Sequence, residues 1–266
     1  MIYRTFTTFK HHTTMIQWKV RLRASTIHLG LSLLVAAMAA TLVFLVWYPY
    51  PYREISGGRE LFQLVVAVDV ILGPLITFFI FNRAKPWSEL RRDLAVVGVI
   101  QLAGLGYGLW TVFIARPVHL VFEYDRFRVV HAVEVPHDLL PRAAPDVRAM
   151  PLHGPTLLAA RPFANDTEKM EFTFAALQGL DLGARPELWQ PYAQAHARVL
   201  SSAKPVGVLK ARFPGRSAEI DGVLSRAGLK ADRALWLPMV GRKSFWTAFV
   251  DPATAVPVGY MDLDSF

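Results

Sequence analysis

A chain of 266 residues without cysteine has only oxygen, amine and imidazole groups with which to do chemistry. Thiolate nucleophiles, disulfides, cysteine zinc sites and iron–sulfur clusters are excluded together. Of the histidines, His119, His131, His137, His153 and His196 stand in the C-terminal half. None is spaced from a carboxylate so that a strand or helix would align the two as a metal face. His11-His12 has no suitable neighbour, and His28, with Ser32 one turn later, reads as an interfacial anchor. No GxSxG, SxxK, phosphate loop or dinucleotide fingerprint stands between a strand and a helix. Gly241-Arg242-Lys243-Ser244 shares only letters with a phosphate loop, and its neighbours make it a hairpin turn. No catalytic residue, metal or cofactor is expected. The most informative side chain is Asp69, which stands inside a long apolar run. A carboxylate within a bilayer is costly and faces a partner or a cavity.

The elements that position Asp69 follow from hydropathy. The chain is 53 % hydrophobic yet 19 % charged, so greasy and polar material is segregated along it. Three runs, residues 27–48, 61–81 and 94–115, each supply the roughly 20 apolar residues that cross a hydrocarbon core. They divide the chain into an N-terminal segment 1–26, a transmembrane domain 27–115 and a soluble domain 116–266. Trp18 before the first run and Trp47 and Tyr48 at its end are interfacial anchors. Met15-Ile16-Gln17-Trp18-Lys19 reads as a complete start, so Met15 is a candidate initiator; the alternative is a short disordered cytoplasmic tail.

Lys and Arg in short flanks set orientation. Lys19, Arg21 and Arg23 precede the first run, and Arg83, Lys85, Arg91 and Arg92 separate the second and third. The intervening loop has only Arg53 and Arg59, offset by Glu54 and Glu60. The N-terminus is predicted to be cytoplasmic and the C-terminal domain extracytoplasmic. Residues 1–115 hold 11 Lys/Arg against 5 Asp/Glu and the remainder 18 against 16, so the net +8 belongs mainly to the membrane half. A nucleic-acid partner is not expected, because such a protein clusters its basic residues on the soluble part.

Counting at about 1.5 Å per residue places Asp69 about 12 Å, Tyr107 about 10 Å and Thr41 about 9 Å from the outer surface. These three are predicted to form one hydrogen-bonded layer, with Gln101 level with Ser32 nearer the inner surface. Gly73-Pro74 lies four residues after Asp69, and the proline removes a helix hydrogen bond to Val70 and kinks the run. Gly104 and Gly108 form a GxxxG pair suited to close helix approach. The residues leave open whether Asp69 holds the three helices in register or docks a partner's helix. Conduction is disfavoured by a single ionisable group.

Beyond Arg116-Pro117 the pattern turns to short alternating runs. Val118 to Phe122 and Phe127 to Val130 predict a hairpin, and residues 136–162 a proline-rich loop. Helices are predicted after Asp166 (Met170, Phe174 and Leu177 inward, Gly179 as stop), from Pro186 (Leu188, Tyr192, Ala195, Val199), and from Ser217 to Gly228. Residues 234–240, 244–250 and 256–263 predict an antiparallel meander. The fold class is therefore three transmembrane helices followed by an extracytoplasmic α+β domain with antiparallel strands.

Several stretches carry a family resemblance: Trp18-Lys-Val-Arg-Leu-Arg-Ala-Ser-Thr-Ile-His28-Leu-Gly-Leu-Ser32, Val46-Trp47-Tyr48-Pro49, Val68-Asp69-Val-Ile-Leu-Gly73-Pro74-Leu-Ile-Thr77, Gln101-Leu-Ala-Gly-Leu-Gly-Tyr107-Gly and Arg116-Pro117-Val118. Over residues 16–135 the chain resembles the TfpX/TfpZ family of type IV pilin accessory proteins, which includes FimB-like members. The resemblance implies a Gram-negative inner-membrane protein with a periplasmic C-terminal domain and no enzymatic activity. Its implied partners are the pilin, through both transmembrane helix and globular head, the lipid bilayer, and other pilus assembly components. The rival reading is a membrane-anchored periplasmic sensor or ligand-binding module, weakened by the lack of a cytoplasmic output domain.

Overall fold

The computed structural model describes residues 3–82 and 85–266, with side chains described from Trp18 onward. Whether Met15 is the start falls on residues whose side chains lie outside that range. Helix α1 (Tyr3–Thr41) covers the residues read as a tail and widens into a π-helical turn over Leu42–Trp47. A short α2 (Tyr52–Ile55) follows, then α3 (Gly58–Ala67), a π-helical turn (Val68–Leu72) and α4 (Gly73–Ile80), which together make one continuous helical rod. Helix α5 spans Trp87–Ile114. Among the described residues three segments are long and apolar enough to cross a membrane: Trp18–Trp47, Gly58–Ile80 and Trp87–Ile114. They are called spans one, two and three below.

The chain forms two compact units. One holds the residues up to Val43 together with Arg59–Phe113, and the other holds Phe44–Gly58 together with Ile114–Phe266. The connector between spans one and two therefore folds with the C-terminal residues. Tyr48 and Ile55 are fully buried there, and Tyr52 nearly so. Lys243 donates its N–H to the carbonyl of Ile55 at 3.1 Å, and Gly154 donates to Val46 at 2.7 Å. Aromatic edges complete the seam, with Tyr52 6.5 Å from Tyr260 and Tyr50 6.4 Å from Trp246.

The second unit is built on an eight-stranded sheet: β1 (Pro117–Glu123), β2 (Arg126–His131), β3 (Thr156–Ala160), β4 (Trp189–Pro191), β5 (Lys204–Pro205), β6 (Leu235–Val240), β7 (Phe245–Val250) and β8 (Pro257–Met261). Its order is β4-β3-β1-β2-β6-β7-β8, with β5 beside β6. The β1–β2 hairpin and the β6-β7-β8 meander are antiparallel, in line with the sequence reading. The sheet as a whole is mixed rather than purely antiparallel, because β3 runs parallel to β1 and β6 parallel to β2. Strand β3 lies inside the stretch read as a loop. Its Thr-Leu-Leu-Ala-Ala sequence shows no alternation because a strand beside a central parallel neighbour is covered on both faces.

Helices α6 (Asp166–Leu177), α7 (His196–Ser202), α8 (Val206–Arg212) and α9 (Ser217–Arg226) pack around this sheet. Two helix readings need correction. Leu188, Tyr192, Ala195 and Val199 are buried, but they are divided between two 3₁₀ turns, separated by β4, and α7 rather than lying on one helix. Pro191 has no N–H to donate and disfavours helical backbone at Gln190. On α6 the apolar stripe is reversed: Met170, Phe174 and Leu177 are 57 %, 59 % and 78 % exposed, and Phe172 points inward. Phe172 stacks on Phe163 at 5.6 Å and lies under the Arg185 guanidinium.

Candidate functional site

The helical unit is tied together by polar side chains at helical spacing. On span one, Ser25 Oγ donates to the carbonyl of Pro74 at 2.8 Å, and His28 Nδ1 lies 2.5 Å from Thr77 Oγ1. Thr77 is buried. With Ser32 one turn further, residues 25, 28 and 32 form a single stripe facing span two. The sequence reading treated His28 only as an anchor. The missed signal was this three- and four-residue spacing.

Span two is disturbed where the sequence places Asp69, Gly73 and Pro74. In a π-helical turn each N–H reaches the carbonyl five residues back, so Pro74, which has no N–H, leaves the carbonyl of Asp69 without a helix donor. Gln101 on span three fills that position, donating Nε2 to the Asp69 carbonyl at 3.2 Å. Its amide lies directly over Gly73, where any Cβ would overlap it. The kink, the glycine and the glutamine are thus one packing device.

Asp69 lines a cavity of about 170 Å³ together with His28, Ser32, Gln101 and the aliphatic side chains around them. The Asp69 carboxyl makes no hydrogen bond among the described residues. The structure brings Asp69 to Gln101 and Ser32, not to Tyr107 and Thr41. Tyr107 is 75 % exposed, and Thr41 donates to the carbonyl of Ala37 within its own helix. Depth explains the difference. Asp69 lies eleven residues from either end of span two, and Gln101 lies fourteen and thirteen from the ends of span three, so both are at mid-height. The sequence count began span three at Leu94, whereas its helix begins at Trp87.

The glycine pair also divides. Gly108 meets Val65, which would stand 2.6 Å from an added Cβ, whereas Gly104 has nothing within 4 Å. Leu90, Val97, Gly108 and Val112 are the buried positions of span three, at the spacing of one narrow helical stripe. Leu102, Tyr107 and Trp110 are exposed. Trp18 caps the other end of the unit, its ring 5.3 Å from Phe78.

In the second unit the buried titratable groups are engaged in holding the fold. Glu123 accepts from Arg126 Nε at 3.0 Å, Arg128 Nε at 3.1 Å and the Gly183 N–H at 2.7 Å. His119 is fully buried between Thr156 Oγ1 at 2.7 Å and the carbonyl of Ala149 at 2.9 Å. Burial pushes its imidazole down to about 4. Glu134 is bonded to His131; burial opposes its charge, but those bonds prevail and hold the carboxyl below its ordinary value. Among the described residues, no group of three or more His, Asp or Glu is placed to hold a metal ion.

The family profile "Fimbrial assembly protein FimB" matches residues 16–57, from the start of span one through the connector. The "Fimbrial assembly protein, serogroup I" of Dichelobacter nodosus is 36 % identical over 92 % of this chain and 95 % of its own length. This chain belongs to the FimB family of fimbrial assembly proteins. The serogroup E1 protein of the same organism is 35 % identical over the same shares. The protein of serogroups C1 and C2 is 43 % identical over 46 % of this chain and 92 % of its own length. No solved structure matches. In this FimB-family chain the matched segment runs through Ser25, His28 and Ser32 and ends in the connector buried on the second unit.

Proposed function

We propose that this protein is a multi-pass inner-membrane accessory protein of type IV pilus biogenesis that binds pilin and modulates its stability, assembly or surface display. It acts by binding, without catalysis. The observation that carries this reading is the match along nearly the whole chain to relatives named fimbrial assembly proteins. Connectivity supports a consistent topology. The connector 44–58 and the chain after residue 113 fold into one unit, so both lie on one side of a bilayer crossed by three spans. The basic flanks at Lys19 to Arg23 and Arg83 to Arg92 lie on the other side, which makes the N-terminus cytoplasmic and the second unit periplasmic.

Helix docking suits the geometry better than conduction does. Asp69, whose carboxyl makes no hydrogen bond among the described residues, lines a cavity at mid-height, and span three leaves Gly104 and Tyr107 uncovered. Intramembrane polar groups and small residues are what helices use to hold one another where there is no hydrophobic driving force. The pilin's apolar helix is the occupant, and the periplasmic unit meets its head. Co-purification of pilin with the wild type, Asp69→Ala and Gly104→Leu tests this. Both variants are expected to recover less pilin; unchanged recovery in both would overturn docking within the membrane.

A further inference from the structure

Beside the Gln101–Gly73 contact, spans two and three flank an open cavity of about 460 Å³ whose lining extends from Gln101 to Asn82 and Lys85. Its walls are aliphatic and aromatic, from Ile76, Phe79 and Ile80 on one side and Val96, Val97 and Ile100 on the other. Its rim carries Arg21, Lys85 and Asp93. Arg21 of span one lines it, and Arg21 Nε is buried with no hydrogen-bond partner among the described residues. Lys85 also lines it, its ammonium fixed 2.7 Å from Asp93 and 3.1 Å from Glu89. Those carboxylates balance Lys85, whereas Arg21 makes no ion pair among the described residues.

We propose that this cavity is a glycerophospholipid site, with the headgroup phosphate held at Arg21 and one acyl chain lying between Ile76, Phe79 and Ile100. The shape excludes the simpler occupants. Free phosphate would use the rim and leave the apolar walls unfilled, and an apolar helix would leave the buried guanidinium nitrogen unpaired. An amphiphile with an anionic head satisfies both at once. Basic pockets between membrane helices on the cytoplasmic side are recognised headgroup sites. A lipid there would fill the space beneath Gln101 and so brace the contact that orders the centre of span two.

The site rests on the membrane reading given above, and the test separates the two. The full-length chain is extracted in detergent, washed, and assayed for phospholipid retained per chain, for the wild type, Arg21→Gln, Ile100→Trp and, as control, Arg23→Gln, which lies outside this cavity. The wild type and Arg23→Gln are expected to retain phospholipid, and Arg21→Gln to hold it about tenfold more weakly, the worth of one charged hydrogen bond. Ile100→Trp fills the acyl cleft and is expected to exclude lipid while the thermal unfolding midpoint stays near that of the wild type. Retention equal to that of the wild type in both Arg21→Gln and Ile100→Trp overturns the proposal. Displacement of the lipid by inorganic phosphate alone overturns it as well, assigning a simple anion site. Release of the chain from membranes by alkaline carbonate would instead overturn the membrane reading itself.

Discussion

Gln101 on span three donates its side-chain amide to the backbone carbonyl of Asp69 on span two at 3.2 Å, across a glycine that has no room for a Cβ. A proline creates an orphan carbonyl, a glycine lets a neighbour approach it, and an amide from that neighbour satisfies it. Gly73→Ala must push the amide away, and Gln101→Ala leaves the carbonyl unpaired. Each is expected to cost about 1–3 kcal/mol, from overpacking in one case and lost satisfaction of a buried group in the other. Because both break one contact, the double variant should be less destabilised than the sum. Thermal unfolding in detergent of the two single variants and the double variant measures that coupling, and strict additivity would refute the linkage.

The two glycines of span three should respond differently to the same change. Gly108→Leu drives a side chain into Val65, so it is expected to lower the unfolding midpoint. Gly104→Leu enters open space and should leave the midpoint within error while reducing pilin recovery. Measured together, stability and co-purification separate internal packing from partner docking. Loss of stability at both positions would remove the distinction.

The connector between spans one and two is predicted to be structural core. Ile55 is fully buried with Leu120, Phe122, Phe127 and Met239, so Ile55→Ala is expected to cost about 2–5 kcal/mol through lost burial and a residual cavity. Gly241 faces it, and a Cβ there would stand 2.8 Å from the Ile55 carbonyl oxygen, so Gly241→Ala should expose the same seam. Limited proteolysis reads both. The expected result is new cleavage between residues 49 and 58 in each variant and none in the wild type.

Much of this was legible in the sequence, and the failures have physical reasons. Three apolar spans, the hairpin at Tyr124-Asp125 and the final meander follow from hydropathy and turn chemistry, because each depends on neighbours close in the chain. Strand β3 was missed because its partners lie far away in sequence and it is covered on both faces, which erases the alternation that marks a half-buried strand. The α6 stripe at Met170, Phe174 and Leu177 has helical spacing, but spacing says only that three residues share a face, not that the face is covered. Asp69, Gly73, Pro74 and Gln101 were all legible as unusual residues for an apolar run. Their joint geometry was not, because it depends on a π-helical turn and on where the helix of span three begins.

His119 gives the soluble unit a pH dependence with a defined sign. Burial keeps its imidazole uncharged in the fold down to about 4. The unfolded chain takes up the proton near the ordinary value of about 6.5. Stability is therefore full above that value and is lost as pH falls from about 6.5 to about 4, by as much as about 3 kcal/mol, then levels once the folded state protonates too. Glu168 acts in a lower window: its hydrogen bond with Arg161 holds it at about 2, so its contribution is present above its ordinary value and fades between about 4.5 and about 2. Unfolding midpoints of the full chain measured from pH 8 to pH 3 should fall in two stages. His119→Gln should flatten the first stage and leave the second, since the amide can still donate to Ala149 but cannot titrate. A first stage of equal steepness in the variant would mean that another group, not the buried imidazole, carries the effect.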